Sequence, residues 1–103
     1  MNEQIKLLRD TLLRRFDAKQ IFLFGSYADG KATKESDVDL CVIADLKNKR
    51  KIELMREIRR ALSDLISSPL DILVYNEDEF NARAGLVNTL EHKIMRDGIK
   101  VHG

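Results

Sequence analysis

The sequence predicts an α/β protein (α+β by some definitions), built as a small mixed sheet of three to five strands backed by helices. Three observations predict it. Short apolar runs at 21–24, 40–44 and 70–75 are bounded by Gly, Ser, Pro and charged residues, which is how strands read. Residues 2–16 and 47–66 carry apolar residues at helical spacing. Finally, 103 residues at 44% hydrophobic and 34% charged fit one globular domain, 1–103, able to bury about 60–65% of its unfolded surface.

Composition excludes several classes. A net charge of +1 gives no global drive toward nucleic acid or membrane, so nucleic-acid binding stays open. The single cysteine rules out an internal disulfide and fits a reducing compartment. No apolar run approaches the ~18 residues of a membrane span, and the first four residues do not read as a signal peptide. A cytoplasmic protein is expected.

In chain order, Ile5, Leu8, Leu12 and Phe16 form one stripe of the first helix, with Leu13 beside it and Asn2 as N-cap. A strand follows at 20–25, then a Gly25-Ser26 loop, a polar stretch at 29–36 and a strand at 37–44. The segment 47–66 shows a stripe of Ile52, Met55, Ile58, Leu62 and Leu65 flanked by Leu54 and Ala61. Its first half is basic. It reads either as a solvated face with Glu53–Arg56 and Glu57–Arg60 pairs or as a surface for nucleic acid or an acidic partner. Ser67-Ser68-Pro69 ends it, and Leu70 to Tyr75 alternates as a third strand. Asn76 with Glu79 resembles a capping box. It opens one broken or two short helices over 77–97, with Gly85 the break, Leu86, Leu90, Ile94 and Met95 facing the core, and Gly98 as C-cap. Residues 99–101 add a short edge strand. Cys41 reads as a small buried hydrophobe; His92 and His102 match no zinc spacing.

The chemistry concentrates between 21 and 45. Asp37 and Asp39 open the second strand two residues apart, so both carboxylates leave the same face, with Cys41 beyond them. Such a pair repels itself and raises its own pKa unless a cation sits between. Hard oxygen ligands suit Mg²⁺, which typically takes one or two carboxylates plus substrate phosphates. Gly25 lets backbone approach a phosphate, and Ser26 adds a hydroxyl; if Ser26 starts a short helix, its N–H groups point at the same anion. Asp71 is a carboxylate in an otherwise apolar strand. Beside the second strand it completes a triad with Asp37 and Asp39; otherwise it is an exposed strand-start residue. Gly25-x-x-x-x-Gly30-Lys31 also matches a P-loop up to Ala32, where Ser or Thr should bind Mg²⁺.

Gly25-Ser26, ten residues, then Asp37-x-Asp39 resembles the signature of the nucleotidyltransferase superfamily that includes DNA polymerase beta, and the short chain resembles its minimal prokaryotic members. Asp29-Gly30 stands where those members commonly have Arg-Gly. The resemblance implies transfer of a nucleoside monophosphate, AMP from ATP, to a hydroxyl. Asp37, Asp39 and Asp71 are the implied catalytic residues and ligands of two Mg²⁺ ions, for which Mn²⁺ substitutes. Gly25, Ser26 and Ser36 are the expected nucleotide-binding residues. With the motif elements using nearly all of the chain, the acceptor site is expected from a partner, from a second copy, or not at all. Minimal members often act as antitoxins to a helical HEPN-type toxin, some by adenylylating it. A non-catalytic, partner-binding antitoxin module is the alternative.

Overall fold

The computed structural model describes residues 3–33 and 36–103. The elements run α1 (Glu3–Phe16), β1 (Gln20–Phe24), a 3₁₀ turn (Gly25–Tyr27), β2 (Val38–Ile43), α2 (Lys51–Leu62), β3 (Leu70–Tyr75), α3 (Glu77–Ala84), α4 (Leu90–Asp97) and β4 (Ile99–His102). The sheet has the order β3-β2-β1-β4. β1 lies antiparallel to both β2 and β4, whereas β2 and β3 run parallel. The predicted mixed sheet is therefore present, with four strands.

Strand alternation divides the core in two. Ile21, Leu23, Val38, Leu40, Val42, Ile72 and Val74 project onto α1 and α2, where Leu8, Leu12, Ile58 and Leu62 are fully buried. The odd-numbered positions of β2 and β3 take the other face. There Phe22, Cys41, Ile43 and Tyr75 meet Phe80, Ala84 and Ile94 of α3 and α4. Helices thus cover both faces. The Phe80 ring stacks on Phe22 at 5.6 Å and meets Tyr75 edge-on at 5.4 Å, a geometry that adds to plain burial. Cys41 is the expected buried hydrophobe, its thiol pushed up to about 12 by burial first and by Glu91 second.

Several expected boundaries move for identifiable reasons. The expected Asn2 cap lies outside the described residues. α2 starts at Lys51 rather than 47, because Lys47 and Asn48 have φ of 51° and 68°, a left-handed conformation no helix continues through. Its buried stripe is Leu54, Ile58 and Leu62, while Ile52 is exposed and Met55 and Leu65 are only partly covered. The expected Glu53–Arg56 and Glu57–Arg60 pairs give way to Arg50–Glu53 at 3.0 Å and Lys49–Glu57 at 2.8 Å. Gly85 does separate two short helices: Asn76 caps α3 through the Glu79 N–H, and Thr89 caps α4 through the His92 N–H. Of the four residues expected to face the core, only Ile94 is buried; Leu86, Leu90 and Met95 are exposed.

The topology also removes the P-loop. That motif needs a strand feeding a full helix within a parallel sheet. Here the glycine loop follows a strand paired antiparallel on both sides and enters a three-residue 3₁₀ turn.

Candidate active site

The C-terminal end of β1 and the N-terminal ends of β2 and β3 meet at one edge of the molecule. Across the strands the register sets Phe24 opposite Asp39 and Asp39 opposite Asp71. Adjacent in-register residues of a sheet project from the same face. The structure therefore brings Asp39 and Asp71 side by side, close enough for Asp71 to act on the Asp39 carboxyl by hydrogen bonding and by charge. Asp37 lies one residue before β2 and is exposed, near enough for its charge to act on Asp39. Asp71 is exposed at the second position of an otherwise largely buried strand. Its position is exposed near the strand start, as the alternative reading expects, and is also beside Asp39, as the triad expects.

Asp39 is raised from its ordinary 3.8 to about 6. Burial is the largest cause, followed by the hydrogen bond to Asp71 and then the charges of Asp71 and Asp37. All four act in one direction. A carboxyl bonded to a carboxylate shares its proton, and a divalent cation is the natural replacement for that proton. Two oxygen donors in register, with a third nearby, fit Mg²⁺ or Mn²⁺. Among the described residues no three His, Cys, Asp or Glu side chains are gathered as a ready-made ion site; the assembled part is the Asp39–Asp71 pair.

Gly25 explains its own place in the motif. Its φ is +70°, and a Cβ there would stand 2.2 Å from Asp39 Oδ2 and 3.2 Å from the Asp39 Cγ. The glycine turn and Asp39 are thus packed without room for one methyl group. The 3₁₀ turn that follows puts Ser26 in solvent. The leading N–H groups of such a turn have no acceptor within it. The N–H groups of Ala28 and Asp29 close back on the Gly25 carbonyl at 3.1 and 3.0 Å. Ser36 is placed otherwise: its hydroxyl accepts from the Thr33 N–H at 2.8 Å and sits 3.3 Å from the Thr33 hydroxyl. In this arrangement it shapes the loop ahead of Asp37.

A cavity of about 210 Å³ adjoins this row, with Gly25, Asp29 and Asp39 on one side and Leu90, Lys93 and Asp97 of α4 on the other. Sequence reasoning assigned Leu90 to the core and gave Lys93 and Asp97 no role. Their spacing of three, four and seven residues was the available signal, since it puts all three on one helical face. Glu91 was missed as well. It is 3% exposed and accepts from the Tyr75 hydroxyl at 2.8 Å and from Arg83. Burial opposes its charge, but those two donors prevail and hold it below the ordinary carboxylate value.

The model of the family described as "Nucleotidyltransferase domain" matches residues 5–100, which takes in the glycine turn and all three aspartates. The chain belongs to the nucleotidyltransferase domain family. It is 40% identical over 63 residues to MntA, a protein adenylyltransferase of Shewanella oneidensis; the match covers 59% of this chain and 43% of that protein. The matches span less than two thirds of the length of the first curated relatives. Among solved structures, a minimal nucleotidyltransferase superposes with a TM-score of 0.63 at 26% identity, covering 91% of this chain and 85% of that one. A toxin–antitoxin complex solved with AMP-PNP superposes at 0.57 and 25% identity, over 99% of this chain and 74% of that one. No helix among the described residues of this nucleotidyltransferase domain is long and apolar enough to cross a membrane.

Proposed function

We propose that this nucleotidyltransferase domain transfers AMP from ATP to a hydroxyl on a partner protein, as the antitoxin of a toxin–antitoxin pair whose toxin is a helical HEPN-type protein. The observation that carries the reading is the in-register Asp39–Asp71 pair packed against Gly25. The likeness to a protein adenylyltransferase and to a toxin–antitoxin complex supports the partner and the nucleotide.

Asp37, Asp39 and Asp71 are the residues that would hold the Mg²⁺ ions. Bound there, divalent cations neutralise the triphosphate and lower the pKa of the attacking hydroxyl. The protein's own residues do the rest. Gly25 and Ser26 hold the phosphates that leave, through N–H groups and the hydroxyl. Asp71, exposed at the sheet edge, faces the incoming acceptor and takes its proton. The acceptor oxygen then bonds to the α-phosphorus as the bond to the bridging oxygen breaks, and pyrophosphate departs.

Intact-mass spectrometry of the co-expressed partner tests this. Wild type should add nucleoside monophosphate, and Asp71→Asn should lower that addition by about a hundred-fold or more. Neutralisation of the partner by both forms with no added mass in either would establish a contact-only antitoxin. One observation favours that second reading: Asp29, an acid where minimal members commonly carry arginine, lines the cavity beside Asp39.

A further inference from the structure

The basic segment that leads into α2 and runs along it has no part in the aspartate row. Its sequence leaves open a solvated face or a surface for nucleic acid or an acidic partner, and the fold shows which of its charges lack a counterpart. Glu53 pairs with Arg50 and Glu57 with Lys49, so neither acid is left for Arg60. The end of α1 lies beside this helix and brings Arg14, Arg15 and Phe16 to it. Two cavities, of about 190 and 380 Å³, adjoin there and share Arg15, Phe16 and Lys49. Together they form one groove on the outer side of α1 and α2. It lies toward the Gln20–Ile43 end of the sheet, whereas Asp39 pairs with Phe24 at the other end.

The groove stays basic after its internal pairs are subtracted. Lys49 is held by Glu57 at 2.8 Å and Lys47 by Asp17 at 3.7 Å. Arg14, Arg15 and Arg60 are exposed and have no carboxylate partner among the described residues. Against them stands one acid, Asp45, which accepts from the Lys47 N–H at 3.0 Å. The chain as a whole carries only +1, so this local excess is not a by-product of a basic composition. Guanidinium groups grip phosphate oxygens two at a time and stack on flat rings.

Phe16 points to the kind of anion. An acidic peptide asks for charge alone, whereas single-stranded nucleic acid asks for charge with an aromatic ring among it. No aromatic residue occurs within 47–66, but the fold inserts Phe16 from α1. The ring is half-buried against the core, which fixes it, and lines both cavities. The Arg15 guanidinium lies 5.8 Å from its centre. A duplex keeps its base faces in its own stack, so such a ring serves only unpaired bases.

We propose that this groove binds single-stranded nucleic acid, with Arg14, Arg15 and Arg60 on phosphates and a base against Phe16. The proposal stands whether or not the aspartate row transfers a nucleotide. Fluorescence anisotropy of labelled oligouridylate and oligothymidylate, each of about twelve nucleotides, tests it. Wild type should bind with Kd of about 1–100 µM at roughly 50 mM salt and lose affinity steeply as salt rises. The tighter of the two oligomers identifies RNA or DNA as the source. Arg14→Ala and Arg60→Ala, both at exposed positions, should each weaken binding about three-fold or more and flatten the slope of log affinity on log salt by about 0.7. Phe16→Leu, which keeps an apolar side chain on the core, should weaken binding about five-fold or more with the slope unchanged. Absence of binding by wild type, or arginine variants that bind as wild type does, would overturn the proposal. A glutamate-rich peptide that binds as tightly as the oligomers would make the groove a seat for an acidic protein segment instead. Equal affinity for a duplex of the same length would overturn the stacking on Phe16.

Discussion

Replacing Gly25 with alanine adds one carbon at the point where the phosphate loop meets the carboxylate row. Two costs follow, and they can be separated. The first is conformational: at φ +70° an L-residue pays roughly 1–2 kcal/mol for the left-handed region. The second is steric. The new Cβ would lie 2.2 Å from Asp39 Oδ2, and ordinary contact begins at 3.4 Å, so the carboxylate must retreat by the difference, 3.4 − 2.2, or about 1.2 Å. It is not free to do so, because Asp71 stands beside it in register. A displacement of ~1 Å in a reacting constellation costs on the order of a hundred-fold in rate. Gly30 supplies the control. Its φ is +72°, and nothing lies within 4 Å of a Cβ built there, so Gly30→Ala carries the backbone cost alone. Both variants should melt lower, by about 4–8 °C per kcal/mol for a domain of this size. Transfer of AMP, followed by intact mass of the acceptor under saturating Mg·ATP, should fall about a hundred-fold in Gly25→Ala and by less than about three-fold in Gly30→Ala. Equal losses of activity in the two variants would refute the argument, since only backbone strain would then be at work.

Three further outcomes follow from the same geometry. ATP binding should collapse in EDTA and return with Mg²⁺ or Mn²⁺, because carboxylates without a cation repel a triphosphate; calorimetry showing equal affinity in both conditions would remove the metal from the site. Asp39 holds its proton to about pH 6 when folded against 3.8 ordinarily. The folded state therefore binds that proton more tightly, and the stability it contributes is present below pH 3.8 and lost as pH rises through about 6. Thermal melts of metal-free protein should show wild type losing ground against Asp39→Asn over that window, and a constant difference would contradict the raised value. Glu91→Ala should destabilise by about 2–4 kcal/mol, since it strips Tyr75 of its buried partner; a melting temperature unchanged within about 1 °C would show the network to be dispensable.

What could be read in the chain was what depends on near neighbours. Strands β1, β2 and β3 were legible because short apolar runs alternate and stop at Gly, Pro or charge. The candidate site was legible because Gly25, Ser26, Asp37 and Asp39 lie within fifteen residues of one another, at or just beyond the facing ends of β1 and β2. Asp71 followed from the cost of placing a charge in an apolar strand. The rest depends on partners far along the chain. In α2, apolar residues occupy two overlapping stripes that share Ile58 and Leu62, and only docking on the sheet selects Leu54 over Ile52. In α3 and α4 the apolar residues exceed what two eight-residue helices can cover. Phe80, Ala84 and Ile94 fill the face under Phe22 and Tyr75, and Leu90 is left at the cavity. Glu91 looked like surface because its acceptors are answered from Tyr75, sixteen residues away, and Arg83, eight away.

Two carboxylates on the α3–α4 side of the sheet show where the fold is complete and where it is not. Glu91 is the more deeply buried, yet it remains below the ordinary carboxylate value, because a phenol and a guanidinium are supplied to it. Asp39 is pushed up to about 6, by burial first and then by Asp71 and Asp37, which add negative charge where Glu91 receives donors. Burial raises both, and the partners decide whether the rise stands. A structural carboxylate receives its positive charge from the chain, whereas Asp39 is held beside like charge at the mouth of a glycine turn and a cavity. Carboxylates driven apart in this manner separate framework from chemistry. The positive charge that Asp39 lacks is the one a Mg·nucleotide would bring, which ties the instability of the bare pair to the binding it is proposed to perform.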